Sequence, residues 1–232
     1  MIGILGGMGT QAGLDFCNKL AKLNKGKIDQ KYPLFVLYNK SNVPGRPQNI
    51  NRYNTVLKSL IEGCLLLQRS GCKFIVIPCN TAHYWYDDLN KKIKIPIVNM
   101  PKAVYLNTKK LCKKNSRIGI LATEGTLKTG VYNKFFDKNF NLVCPKKSLQ
   151  LTSVNKAIRL VKMGKIKDAE KCIKPAINFL IKEKCKKIIL GCTELPIAIF
   201  AFKSFKKIKL SKTFLDPNLI LAEISMHKYK KL

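Results

Sequence analysis

Nine cysteines stand at positions 17, 64, 72, 79, 112, 144, 172, 185 and 192, and two of them close matching segments. Cys72-Lys73-Phe74-Ile75-Val76-Ile77-Pro78-Cys79 is paralleled, 113 residues on, by Cys185-Lys186-Lys187-Ile188-Ile189-Leu190-Gly191-Cys192. Cys79 and Cys192 each follow an apolar run that reads as a buried strand and precede a segment that reads as a helix. A sulfur placed there meets free backbone N–H groups and the positive end of a helix dipole, both of which favour the thiolate. An ordinary thiol has a pKa of about 8.5, so a modest depression makes it a base at neutral pH. Taken singly, either cysteine is most simply a small core residue. As a symmetric pair they suit inversion of a stereocentre. One thiolate takes a Cα proton from one face, one thiol returns a proton to the other, and the roles exchange in the reverse direction. Two such groups titrate as a coupled pair.

The elements that must position this pair alternate between strand and helix, which predicts an α/β fold with mostly parallel sheets. Residues 2–5 read as a strand ending in a Gly-rich turn, and 11–24 as a helix with Leu14, Cys17, Leu20 and Leu23 on one face. A strand follows over 33–38, a loop over 39–48, a helix over about 50–70, a strand over 73–78 and a short strand over 95–98. Then Ile2-Gly3-Ile4-Leu5 returns as Ile118-Gly119-Ile120-Leu121, 116 residues on, again before a turn with a second glycine (Gly9, Gly125). Ile95-Pro96-Ile97-Val98 is matched by Thr213-Phe214-Leu215-Asp216. Segments recurring at nearly one offset indicate an internal duplication. The expected architecture is two pseudo-symmetric three-layer α/β lobes, 1–100 plus 209–232 and 101–208. Ligand would bind in the cleft where strand C-terminal ends face each other.

Composition narrows the function classes. The 232 residues are 46% hydrophobic, which excludes wholesale disorder. No apolar run reaches the roughly 18 residues of a membrane span. The N-terminus has the pattern of a strand rather than of a signal peptide, so a cytoplasmic location is expected. An odd cysteine count without CxxC argues against a disulfide framework, and two histidines at poor spacing argue against zinc. The formal net charge of +31 points toward nucleic acid. Yet only five of the 44 basic residues are Arg, and the 39 lysines are spread along the whole chain rather than gathered in a stripe. A solvated lysine surface accounts for that pattern, and it should still steer anionic substrates inward.

Four motifs carry a resemblance. Gly6-Gly7-Met8-Gly9, Pro78-Cys79-Asn80-Thr81-Ala82-His83, Ala122-Thr123-Glu124-Gly125-Thr126 and Gly191-Cys192-Thr193-Glu194 follow in order across essentially the whole chain. Together they resemble the aspartate/glutamate racemase family, in its aspartate branch. The resemblance implies a PLP-independent enzyme with no cofactor and no metal, an amino-acid substrate and a homodimer. It implies Cys79 and Cys192 as the catalytic pair. Asn80, Thr81 and Thr193 would hold the α-carboxylate and α-amino groups, and Met8, Thr123 and Thr126 would line the cleft. Arg46 would pair with a side-chain carboxylate through its planar fork. Lys162 would be a second cation there, with Lys165 a neighbouring alternative. His83 would lend hydrogen-bonding support and Glu194 would stand beside Cys192. The chain departs from the family in having Thr10 where Pro is usual, and Gly45 where an Asp usually precedes the arginine.

Other readings are weaker. Gly7, Gly9 and Ala12 match a dinucleotide fingerprint, but Tyr38-Asn39 stands where its acid belongs. A decarboxylase would need only one proton donor. Cell-wall glutamate racemases carry Asp-Ser at the first turn, where this chain has Gly6-Gly7-Met8. A broader-specificity racemase or related isomerase, and a basic nucleic-acid-binding protein, stand as alternatives, the last with strongly salt-dependent binding.

Overall fold

A computed structural model describes residues 1–24, 28–46, 49–201 and 210–232. The first sheet contains β1 (Ile2–Gly6), β2 (Phe35–Asn39) and β3 (Phe74–Val76) in the order β2-β1-β3. The second contains β4 (Arg117–Ala122), β5 (Asn141–Val143), β6 (Lys187–Gly191) and β7 (Phe214–Leu215) in the order β5-β4-β6-β7. Every pairing is parallel. β1 and β3 are buried along their whole length, as unbroken apolar runs covered by helices on both faces should be.

Period-2 alternation divides each strand between two helical layers. Leu5, Ile75 and Ile77 face Val56, Leu60 and Leu67 of the Tyr53–Arg69 helix. Ile2, Ile4, Phe74 and Val76 face Phe16 and Leu20 of the Thr10–Leu23 helix and Leu221 and Met226 of the Pro217–Tyr229 helix. In the second sheet Leu121, Ile188 and Leu190 pack on Ile173, Ile177 and Leu180 of the Ile166–Lys182 helix. Ile118, Ile120 and Ile189 pack on Val104 of the Met100–Leu111 helix and on Tyr132 and Phe136. Two three-layer α/β lobes result, as the duplication predicts.

Three expectations are corrected. In the first helix the buried face is Ala12, Phe16 and Leu20, and Leu14 is exposed; the covering Pro217–Tyr229 helix meets that face instead. Residues 95–98 form a single bridge, Ile97 to Ile75, rather than a strand; Pro96 has no N–H to extend the ladder. The proposed lobe boundary at 209 lies outside the described residues, and the strand beyond it does not join the first lobe. β7 pairs with β6, occupying the position that Ile97 holds beside β3, and the Pro217–Tyr229 helix then returns to the first sheet.

Candidate active site

The C-terminal ends of the parallel strands deliver the motif residues to one cleft. Met8 follows β1, Arg46 lies on the loop after β2, and Cys79, Asn80 and Thr81 follow β3. Thr123 and Thr126 follow β4, Cys192, Thr193 and Glu194 follow β6, and Lys162 ends the Lys156–Lys162 helix. All of these side chains line the same cavity, together with Gly191. The close approach that lets Met8 and Arg46 meet depends on Gly7. Its φ is +87°, and a Cβ there would lie 2.3 Å from the Lys40 carbonyl carbon.

Cys79 and Cys192 are both buried at the cleft. The Cys192 thiol donates to Glu194 Oε2 at 3.0 Å. Burial pushes its pKa well above the usual thiol range, and the Glu194 charge and this hydrogen bond push it the same way. The helix-dipole expectation is therefore corrected for Cys192. The following helix, Leu195–Phe200, is six residues long, and burial beside a carboxylate outweighs it. Cys192 is held as the thiol. Glu194 is itself buried, with Lys162 Nζ 3.7 Å from its Oε1. Lys162, half-exposed at the rim, thus faces both the cleft and Glu194.

Hydrogen bonds join the two lobes across the cleft floor. Thr81 Oγ1 shares a hydrogen bond with Thr126 Oγ1 at 2.7 Å, and Thr123 Oγ1 lies 3.0 Å from Thr126 Oγ1. Thr123 also caps the Glu124–Lys128 helix by accepting from Thr126 N. Thr193 Oγ1 donates to the Pro78 carbonyl at 3.4 Å. Asn80 Oδ1 accepts from the Tyr132 hydroxyl at 2.5 Å, while Asn80 Nδ2 is buried without a partner. Sequence reasoning missed Tyr132. The available signal was a lone phenol beside Phe135, Phe136 and Phe140, since a buried Tyr hydroxyl needs a partner.

Arg46 stands differently from expectation, and His83 makes its hydrogen bond to Cys79 from outside the cleft. Arg46 lines the cleft, but its guanidinium is partly engaged: Nη2 donates to the Met8 carbonyl at 2.5 Å, Nη1 to Pro44 O at 3.3 Å, and Nε has no partner. With Gly45 in place of an acid, backbone carbonyls fix the arginine. His83 lines a separate cavity, with Tyr86 and Thr129. Its Nε2 accepts from Met100 N at 3.1 Å, so the ring proton sits on Nδ1 and donates to the Cys79 carbonyl at 2.9 Å. Burial lowers its pKa, which keeps the ring neutral. His83 therefore steadies the Cys79 backbone and the start of the Met100–Leu111 helix and does not face the cleft. Thr10, the residue in place of proline, begins its helix and accepts from Asn39 Nδ2 at 3.2 Å. Among the described residues no group of three or more His, Cys, Asp or Glu could hold a metal ion, and no helix is long and apolar enough to cross a membrane.

Known proteins resemble this chain in sequence and fold. The chain is similar to the aspartate racemase of Picrophilus torridus, with 30% identity, a TM-score of 0.84, and coverage of 99% of this chain and 94% of that one. It is 27% identical over 199 residues to the broad specificity amino-acid racemase RacX of Bacillus subtilis, covering 84% of this chain and 86% of the relative. It is also 27% identical over 175 residues to the glutamate racemase of Persephonella marina, covering 74% of this chain and 65% of that protein, just under two thirds. The family model for Asp/Glu/hydantoin racemases matches residues 5–224, from the first strand to the last helix. The chain belongs to the Asp/Glu/hydantoin racemase family.

Proposed function

We propose that this protein is a cofactor-independent amino-acid racemase acting on aspartate, glutamate or both, with Cys79 and Cys192 as its proton-transfer pair. The observation that carries this is the convergence of both cysteines, from equivalent points of two lobes, on one cleft. In one direction the Cys79 thiolate takes the Cα proton. The electron pair left behind spreads into the α-carboxylate, and the Cys192 thiol returns its proton to the opposite face. The pair is left with its roles exchanged, ready for the reverse reaction. Thr81, Thr123, Thr126, Thr193 and Asn80 supply the polar floor on which the α-carboxylate and α-ammonium rest. Lys162 at the rim meets a distal carboxylate. Arg46 assists it through Nε, the guanidinium nitrogen that no backbone carbonyl engages. A homodimer in the cytoplasm completes this reading.

The test is incubation with L-aspartate, L-glutamate and other L-amino acids in D₂O without pyridoxal phosphate. Deuterium should enter Cα, and the D-enantiomer should accumulate to an equal mixture. No exchange with any amino acid would sink the proposal. A broader substrate range is the second reading, favoured by the tethering of Arg46 to backbone carbonyls, which weakens selection at the distal end. The same assay over neutral amino acids separates the two readings, and light scattering reads the oligomeric state.

A further inference from the structure

We infer that Tyr132 is a positioning residue that turns the Asn80 side-chain amide so that its N–H₂, and not its carbonyl, faces the cleft as a hydrogen-bond donor for a carboxylate. The inference rests on the racemase reading for its consequence in turnover, but its geometry stands apart from that reading. Asn80 lies two per cent exposed immediately after Cys79, on the first lobe. An amide has one accepting and one donating end, and a flip exchanges them. Tyr132, from the second lobe, is one per cent exposed and sits in an aromatic cluster with Phe136 and Phe140. Its hydroxyl donates to Asn80 Oδ1 at 2.5 Å. That bond uses the amide's accepting end and leaves Nδ2 buried and without a partner, on a residue that lines the cleft together with both cysteines.

A buried donor without a partner bears its full desolvation penalty, so it marks a place where a ligand acceptor belongs. The chemistry of that acceptor follows. An ammonium has only donors and would leave Nδ2 unsatisfied; a carboxylate oxygen satisfies it. Loss of the Cα proton pushes negative charge into the α-carboxylate, so a fixed donor there stabilises the transition state more than the bound substrate. Burial holds the Tyr132 hydroxyl protonated, its pKa raised well above the usual phenol range, so the orientation persists at alkaline pH.

A double-mutant cycle tests this. Tyr132→Phe should lower kcat about tenfold in both directions while KM changes little, because the donor is loosened rather than removed. Asn80→Ala should cost more, on the order of a hundredfold. In the Asn80→Ala background, Tyr132→Phe should add less than about twofold, since it acts through Asn80. An unchanged kcat in Tyr132→Phe, or the same tenfold loss with Asn80 absent, overturns the inference. If the wild-type protein moves no Cα proton, the racemase reading fails and a second readout decides. In nitrogen-15-labelled protein, acetate should shift the Asn80 side-chain amide resonance, identified by its loss in Asn80→Ala, and Tyr132→Phe should abolish that shift. An Asn80 resonance indifferent to acetate in the wild type overturns the inference on its own.

Discussion

At the scale of single residues, the site combines groups legible in the sequence with contacts that only the folded chain discloses. Cys79 and Cys192 were marked by the repeat, and both reach the cleft. What the repeat could not convey is their difference. Cys192 donates to Glu194, and burial with that carboxylate raises its pKa, whereas no such residue follows Cys79, where Asn80 and Thr81 stand. A raised thiol pKa means the thiolate appears only at higher pH. Alkylation of Cys192 by iodoacetamide, read by peptide mapping in a Cys79→Ser background, should therefore be slow at neutral pH and rise steeply only well into the alkaline range. Glu194→Gln removes the charge that opposes thiolate formation, so the alkylation profile should move to lower pH; a profile that stays put or moves up contradicts the assigned role of Glu194. Replacing either cysteine by Ser should abolish racemisation in both directions. A variant retaining one thiolate could still exchange the α-proton of one enantiomer in D₂O. Arg46 was legible as a cleft residue, but its bonds to Met8 and Pro44 carbonyls were not, because they depend on how two loops meet.

At the scale of elements, the duplication foretold two parallel sheets, because unbroken apolar runs at a constant offset leave few other arrangements. Edges were less legible. The 95–98 segment lacks a full ladder because Pro96 donates nothing, and β7 is assigned by its pairing with β6, which no local pattern specifies. Leu14 looked like a core residue on helical spacing alone; the direction from which the Pro217–Tyr229 helix covers its neighbours decides otherwise. The turn after β1 gives an element-level prediction. Gly7 and Gly164 both have positive φ, +87° and +74°, but only Gly7 has backbone against it, at 2.3 Å and 2.4 Å from Lys40 C and O. Gly164→Ala should therefore cost only the left-handed penalty, about 1–2 kcal/mol. Gly7→Ala should cost about 3 kcal/mol more, because two backbone segments must separate. Separating them also draws Arg46 away from the Met8 carbonyl, so activity should fall beyond the loss of stability. Chemical denaturation of the two variants side by side checks this; equal losses would remove the close approach as the reason for a glycine at position 7.

At the scale of the whole molecule, the dominant fact is charge. Forty-four basic residues against 13 acidic ones leave a net +31, so most lysines have no carboxylate to pair with. The exposed ion pairs among the described residues, such as Lys91–Asp88 and Lys134–Asp87, are few against that surplus, and solvent screening leaves each of them weak. Self-repulsion over the surface therefore outweighs what salt would take from those pairs. Screening tightens from about 30 Å at 0.01 M to about 3 Å at 1 M salt, which weakens repulsion between lysines on neighbouring helices before it touches contacts at hydrogen-bond range. The melting temperature should accordingly rise with sodium chloride, by about 5 °C between low and half-molar salt if relief of repulsion contributes about 2 kcal/mol. Chloride is the anion to use, because sulfate also stabilises by exclusion from the surface. The same field has an opposite consequence for catalysis. On the proposed function, attraction of an acidic amino acid with one net negative charge toward the cleft weakens as salt rises, so kcat/KM for aspartate should fall over the range in which stability increases, while kcat stays nearly constant. A melting temperature that falls with chloride would mean that ion pairs such as Lys19–Asp216, with its buried carboxylate, outweigh the surplus of lysines.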